Sequence, residues 1–151
     1  MPKRVSIFVT CVIDQLFPRV GLSMATVLER LGYEVEFREA QTCCGQPAFN
    51  SGFRDEARTV AAHFLNVFED AEYIVVPSGS CTSMCSHHYA ELYRDDPPML
   101  AKAHAMEPRV WEFSRFLTDV ANVEDVGAVW NGKVTYHDSC HALRELGIKD
   151  G

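Results

Sequence analysis

Short apolar runs alternate along the chain with segments whose apolar residues recur every three or four positions. The runs predict four strands, Val5 to Thr10, Glu34 to Arg38, Tyr73 to Pro77 and Lys133 to His137. Between the first two, Met24, Val27, Leu28 and Leu31 share one face of a helix, and Gly32 follows where a left-handed cap falls. A second helical stripe carries Phe53, Ala57, Val60, Ala61, Phe64, Leu65 and Phe68. Its opposite face, Arg54, Asp55, Glu56, Arg58 and Asn66, reads as a solvated surface. Such alternation predicts an α/β fold: a small Rossmann-like, three-layer domain with a mostly parallel sheet.

Beyond residue 90 the pattern is less regular. The segment DDPP (95–98) is a loop by composition, and Pro108 interrupts or restarts the helix around it. Phe113, Phe116, Leu117 and Val120 give one more helical stripe, ending before Gly127 and read as core. The piece VSIFVTC (5–11) is echoed by VTYHDSC (134–140), each a predicted strand with a cysteine at its carboxyl end. The echo places the first strand of a second, similar unit near residue 133.

Length and charge narrow the classes. The 151 residues, 47% hydrophobic, suffice for one substantial core. With 14 basic and 21 acidic residues the net charge is −7, and no dense run of Lys or Arg offers a nucleic-acid backbone a surface. The amino-terminal MPKRVSIFVT is basic and then apolar, but Asp14 breaks the run and no small-residue cleavage site follows, so a strand and a cytoplasmic protein are expected. No segment approaches the roughly 18 to 20 apolar residues that would span a bilayer. No Gly-x-Gly-x-x-Gly follows a strand, so there is no NAD or flavin fingerprint.

The cysteines change the picture most. Cys11 follows the first predicted strand, Cys43 and Cys44 the second, and Cys81 the third. In a parallel sheet the carboxyl ends of all strands line one edge, where ligands bind, so these thiols are expected to converge. Cys85 joins them if a helix begins near residue 82. Neighbours such as Cys43 and Cys44 pair with each other only under strain, but they can serve different atoms of a polynuclear centre. Gly45 and Gly79 would let the backbone approach such a centre without a Cβ in the way.

Other chemistries stay open. A zinc site fits Cys81 and Cys85 in CTSMC but not the neighbouring pair Cys43 and Cys44, and metal-free thiol–disulfide exchange is a further alternative. Nucleophilic catalysis by Cys85 with His88 lacks an orienting third group. His87, His88, His137 and His141 flank cysteines and are weaker candidates as ligands or proton carriers, whereas His63 and His104 read as ordinary helix residues. Cys140 reads equally well as an inert thiol.

Cys11, thirty-one residues, Cys-Cys-Gly at 43–45, thirty-six residues from Cys44, then Cys81 and Cys85 is a recognisable spacing. It resembles the cysteine-rich CCG-domain family, found in heterodisulfide reductase and in the iron-sulfur component of glycolate oxidase. The segments IFVTC (7–11), ATVLERLGYEVEF (25–37), TCCGQPAFNSG (42–52), IVVPSGSCTSM (74–84), HHYAEL (87–92) and EDVGA (124–128) are most similar to its lactate-utilisation branch, the LutA proteins. The resemblance implies a cytoplasmic iron–sulfur protein, of the 4Fe-4S type, working with LutB-like and LutC-like companions in oxidising L-lactate to pyruvate. It implies Cys11, Cys43, Cys44, Cys81 and Cys85 as cluster ligands, beside Gly45. It also implies a first CCG unit over residues 1–128 and the beginning of a second over 129–151, to which Cys140 would belong. By adjacency, Thr10, Thr42, Ser78 and Ser80 would donate hydrogen bonds to the sulfurs.

Overall fold

The computed structural model describes residues 3–137 and 139–148. Its centre is a four-stranded sheet, all parallel, in the order β2-β1-β3-β4, with β1 Arg4–Ile7, β2 Glu34–Phe37, β3 Ile74–Val76 and β4 Val110–Glu112. Connection β1 to β2 runs through α1 (Cys11–Leu16) and α2 (Pro18–Arg30), and β2 to β3 through α3 (Gln46–Asn50) and α4 (Arg54–Val67). After β3 come α5 (Gly79–Ser83), a wide π-helical turn (Met84–His88), α6 (Tyr89–Leu92) and α7 (Pro97–Met106). Beyond β4 lie α8 (Phe113–Arg115), a second π-helical turn (Phe116–Val120) and α9 (Cys140–Arg144).

Side chains alternate across the sheet and build a core on each face. Val5, Ile7 and Val75 pack with Met24 and Leu28 of α2 and with Phe116. Ile74 and Val76 point the other way, into a larger cluster with Phe8, Phe64, Leu65, Phe68, Met84 and Tyr89. The helical stripe read over residues 53–68 is α4, whose Ala57, Ala61, Phe64 and Leu65 are its buried positions. This is the Rossmann-like arrangement that the alternation predicts.

Two expectations about elements do not hold. Residues 133–137 form no strand; Val134 and Tyr136 lie 78% and 74% exposed, with no sheet partner. The fourth strand is Val110–Glu112, in the stretch read as interrupted helix, because Pro108 ends α7 through a 3-10 turn and Val110 then pairs with Ile74. Three residues are too few to show a two-residue period, so β4 exists only because the edge of β3 is there to receive it. The helix α9 returns to the domain: Ala142 lies against Gly79, Arg115 donates to the Leu146 carbonyl at 2.8 Å, and Ser83 and His88 donate to Glu145. No helix among the described residues is long and apolar enough to cross a membrane.

Candidate functional site

The strand order reverses between β1 and β3, and the loops leaving the carboxyl ends of β1, β2 and β3 meet at that edge. Gln41 ties the first two together. Its side-chain amide accepts from the Val9 N–H at 2.8 Å and donates to the Ile7 carbonyl at 3.2 Å, bonding the end of β1 as another strand would. Two residues on, Cys43 Sγ lies 3.7 Å from Cys11 Sγ. Gln46 ties the second loop to the third by donating to the Ser80 carbonyl at 3.1 Å. Nothing in the local sequence marks these two glutamines, because their partners lie more than thirty residues away.

Cys43 lies against Cys11, and the thiols of Cys43, Cys44 and Cys81 are close enough to shift one another's ionisation. Cys11 and Cys43 are half-buried, Cys44 and Cys81 buried. Cys85 is 1% exposed, on the π-helical turn behind them, and its thiol donates to the Tyr89 hydroxyl at 3.4 Å. Cys140 is exposed at the start of α9 and makes no contact with this group among the described residues.

The site holds a graded set of thiols. Cys43 is drawn down to about 5, chiefly by the neighbouring Cys44 thiol, helped by the Gly45 amide at 3.4 Å and by Cys11. Cys81 falls to about 7, again first through Cys44 and then through the hydroxyls of Ser78 and Ser80, against the opposing effect of burial. Cys44 is pushed far up, by its neighbours Cys43 and Cys81 and by burial. Burial pushes Cys11 and Cys85 up as well. A thiol at about 5 is a thiolate at neutral pH, the form that binds soft metals.

Of the expected donors to sulfur, Ser78 and Ser80 act on Cys81, whereas Thr42 is exposed and Thr10, 2% exposed, makes no bond to a sulfur among the described contacts. The glycines serve otherwise than expected. Gly45 adopts φ +83°, and a Cβ there would lie 3.4 Å from Val60 of α4, so it faces the core, with its amide on Cys43. A Cβ on Gly79 would lie 3.0 Å from the Cβ of Ala142, so that glycine makes room for α9. His88 pairs with Glu91 and Glu145, His141 with Gln46, and His87 with the Ser86 hydroxyl; none of these contacts is to a cysteine. His63 meets the Ala40 carbonyl and His104 meets Glu107.

The cysteine-rich domain of the CCG family matches residues 5–86, the segment that contains all five of these cysteines. The chain belongs to the CCG cysteine-rich family. Proteins named lactate utilization protein A from Bacillus cytotoxicus, Bacillus cereus and Geobacillus kaustophilus are each 48% identical to it over 147 residues, which is 97% of this chain. The chain spans 61% of the length of these curated relatives. No solved structure gives a significant match.

Membership bears directly on what the sulfurs can hold. Among the described residues no three His, Cys, Asp or Glu side chains are placed to hold a metal ion. The donor chemistry of the cysteines nonetheless fits a polynuclear iron–sulfur centre: soft sulfurs from three separate loops, two of them on adjacent residues, with N–H and O–H donors already directed at Cys43 and Cys81.

Proposed function

We propose that this CCG domain is an iron–sulfur electron-transfer component of an L-lactate-oxidising system. Two things support the reading: the gathering of cysteines from three loops at the edge of the sheet, with Cys11 and Cys43 in contact, and the relatives named for lactate utilisation. Cys11, Cys43, Cys44, Cys81 and Cys85 would hold a 4Fe-4S cluster, which when bound supplies one-electron redox chemistry. The amide of Gly45 and the hydroxyls of Ser78 and Ser80 place positive dipole on the sulfurs, which raises a reduction potential, while the buried sides of Cys44 and Cys81 keep water away.

Oxidation of lactate to pyruvate releases two electrons and two protons. A centre that passes electrons singly needs a second acceptor, which gives LutB-like and LutC-like companions their place in the proposal. The cytoplasm, which keeps thiols reduced, is the fitting compartment. Residues 1–128 would form the first CCG unit, and 129–151 would open a second.

Anaerobic preparation with iron and acid-labile sulfide assays tests the reading. About four irons with matching sulfide are expected, falling sharply in Cys43→Ser and Cys81→Ser. One zinc, or no metal with a reversible loss of two thiols, would replace it with a metal-stabilised interaction domain or a thiol–disulfide exchanger. Lactate-dependent reduction by the reconstituted companions tests the physiological part separately.

A further inference from the structure

Helix α9 lies outside residues 5–86, which the CCG family matches, yet it touches the loops that carry the cysteines. It begins as α1 does. Thr10 at φ −68°, ψ 153° precedes Cys11, and Ser139 at φ −71°, ψ 149° precedes Cys140, so each helix opens on a cysteine after an extended, hydroxyl-bearing residue. The strand that would precede α9 in such a repeat is not formed, and Val134 and Tyr136 there lie exposed. The place of α9 is therefore set by what it touches elsewhere in the chain, not by a sheet of its own.

Those contacts reach two of the cysteine loops. On the side of the third strand, Ala142 is 7% exposed and packs against Gly79, and Glu145, just after the helix, accepts from Ser83 and from His88, the latter at 3.1 Å. On the side of the second strand, His141 meets Gln46 at 3.3 Å, and Gln46 directly follows Cys-Cys-Gly. The same Gln46 side-chain nitrogen lies 3.1 Å from the carbonyl of Ser80, the residue before Cys81. An amide nitrogen carries two N–H groups, so it bonds the carbonyl with one and the imidazole nitrogen with the other. Two bonds in different directions fix the plane of the amide. A glutamine held by one alone regains much of its rotamer freedom, and the bond between the loops weakens with it.

We propose that His141 is a positioning residue of the cysteine site: from α9 it holds the Gln46 amide in the orientation that ties the Cys-Cys-Gly loop to the loop of Cys81. The first CCG unit then borrows a helix from beyond residue 128 and is not complete without it. The proposal rests on the iron–sulfur reading only where the spectrum of a bound cluster is used; the tie itself belongs to the polypeptide.

The test uses the full chain with His141→Ala, His141→Gln, Gln46→Ala and the double variant of His141→Ala with Gln46→Ala. In the iron-free chain, hydrogen exchange across residues 43–49 and 79–83 should quicken about fivefold in His141→Ala, as for one lost hydrogen bond, while β1 and α4 exchange as in the native chain. His141→Gln, whose side-chain carbonyl can still accept, should return toward native. The double variant should exchange no faster than Gln46→Ala, because the effect of His141 passes through that amide. After anaerobic reconstitution with ferrous iron and sulfide, His141→Ala should keep the native iron content with a shifted electron paramagnetic resonance spectrum. Unchanged exchange in His141→Ala would overturn the proposal, as would quickening spread equally over β1 and α4, or single-variant effects that simply add. Loss of iron as complete as in Cys43→Ser would also overturn it, by making His141 a ligand. A native chain that takes up no iron would remove the electron-transfer reading, and exchange in the iron-free chain would still decide the tie.

Discussion

Gly45 occupies a backbone conformation, φ +83°, that strains any residue with a Cβ by about 1–2 kcal/mol. The same turn brings the Gly45 amide onto Cys43 and seats the backbone against Val60. Gly45→Ala is therefore expected to lower the melting temperature of the metal-free chain by a few degrees, roughly 2–8 °C for a domain of this size. A melting curve unchanged from native would mean that the turn is freer than its dihedral implies. Gly79 is different: it is not at positive φ, and the space it leaves is filled by α9. From sequence both glycines look like room for a bulky cofactor. Only the packing separates them, because what faces an absent Cβ is a property of distant residues.

Single elements carry separable loads. α4 brings Phe64 into contact with Phe8 at 4.9 Å, Phe68 at 4.7 Å and Tyr89 at 5.5 Å, so it joins the sheet to the wall of the cysteine site. Phe64→Ala should cost about 3–5 kcal/mol, measured by urea unfolding. A loss under about 1 kcal/mol would show that the cluster closes around the gap. α9 is held by fewer contacts, chiefly Ala142 on Gly79, Arg115 on Leu146, and Ser83 and His88 on Glu145. Gly79→Val pushes against both the backbone and the Cβ of Ala142, and should speed tryptic cleavage after Arg144 while moving the main unfolding transition little. Equal cleavage rates in the two chains would contradict that placement of α9.

Across the whole molecule, Arg38 links β2 to the end of α4. It pairs with Glu36 and with Asp70 at 2.6 Å, and it donates to the Val67 carbonyl. Burial alone would raise the Glu36 carboxyl, but bonds from Ser6 and Arg38 outweigh it and hold the group below its ordinary 4.5. A carboxyl lowered by folding contributes stability that is present above its unfolded value and is lost as the pH falls through its folded one. Arg38→Gln should therefore unfold at lower urea than the native chain at pH 7, with the gap narrowing as the pH drops below 4.5. A gap constant across that range would place the effect of Arg38 in packing instead.

What the sequence determined by itself was the parallel α/β architecture and the meeting of Cys11, Cys43, Cys44 and Cys81. Both follow from local periodicity and from the rule that every strand of a parallel sheet ends at the same edge. The tertiary structure alone decided that residues 110–112 and not 133–137 supply the fourth strand, that Gln41 and Gln46 bind the cysteine loops together, and that Tyr89 spans Cys44 and Cys85. Each of these depends on a partner 34 or more residues away in the chain, or on which sheet edge is open, and a local pattern of apolar and polar positions holds no record of either.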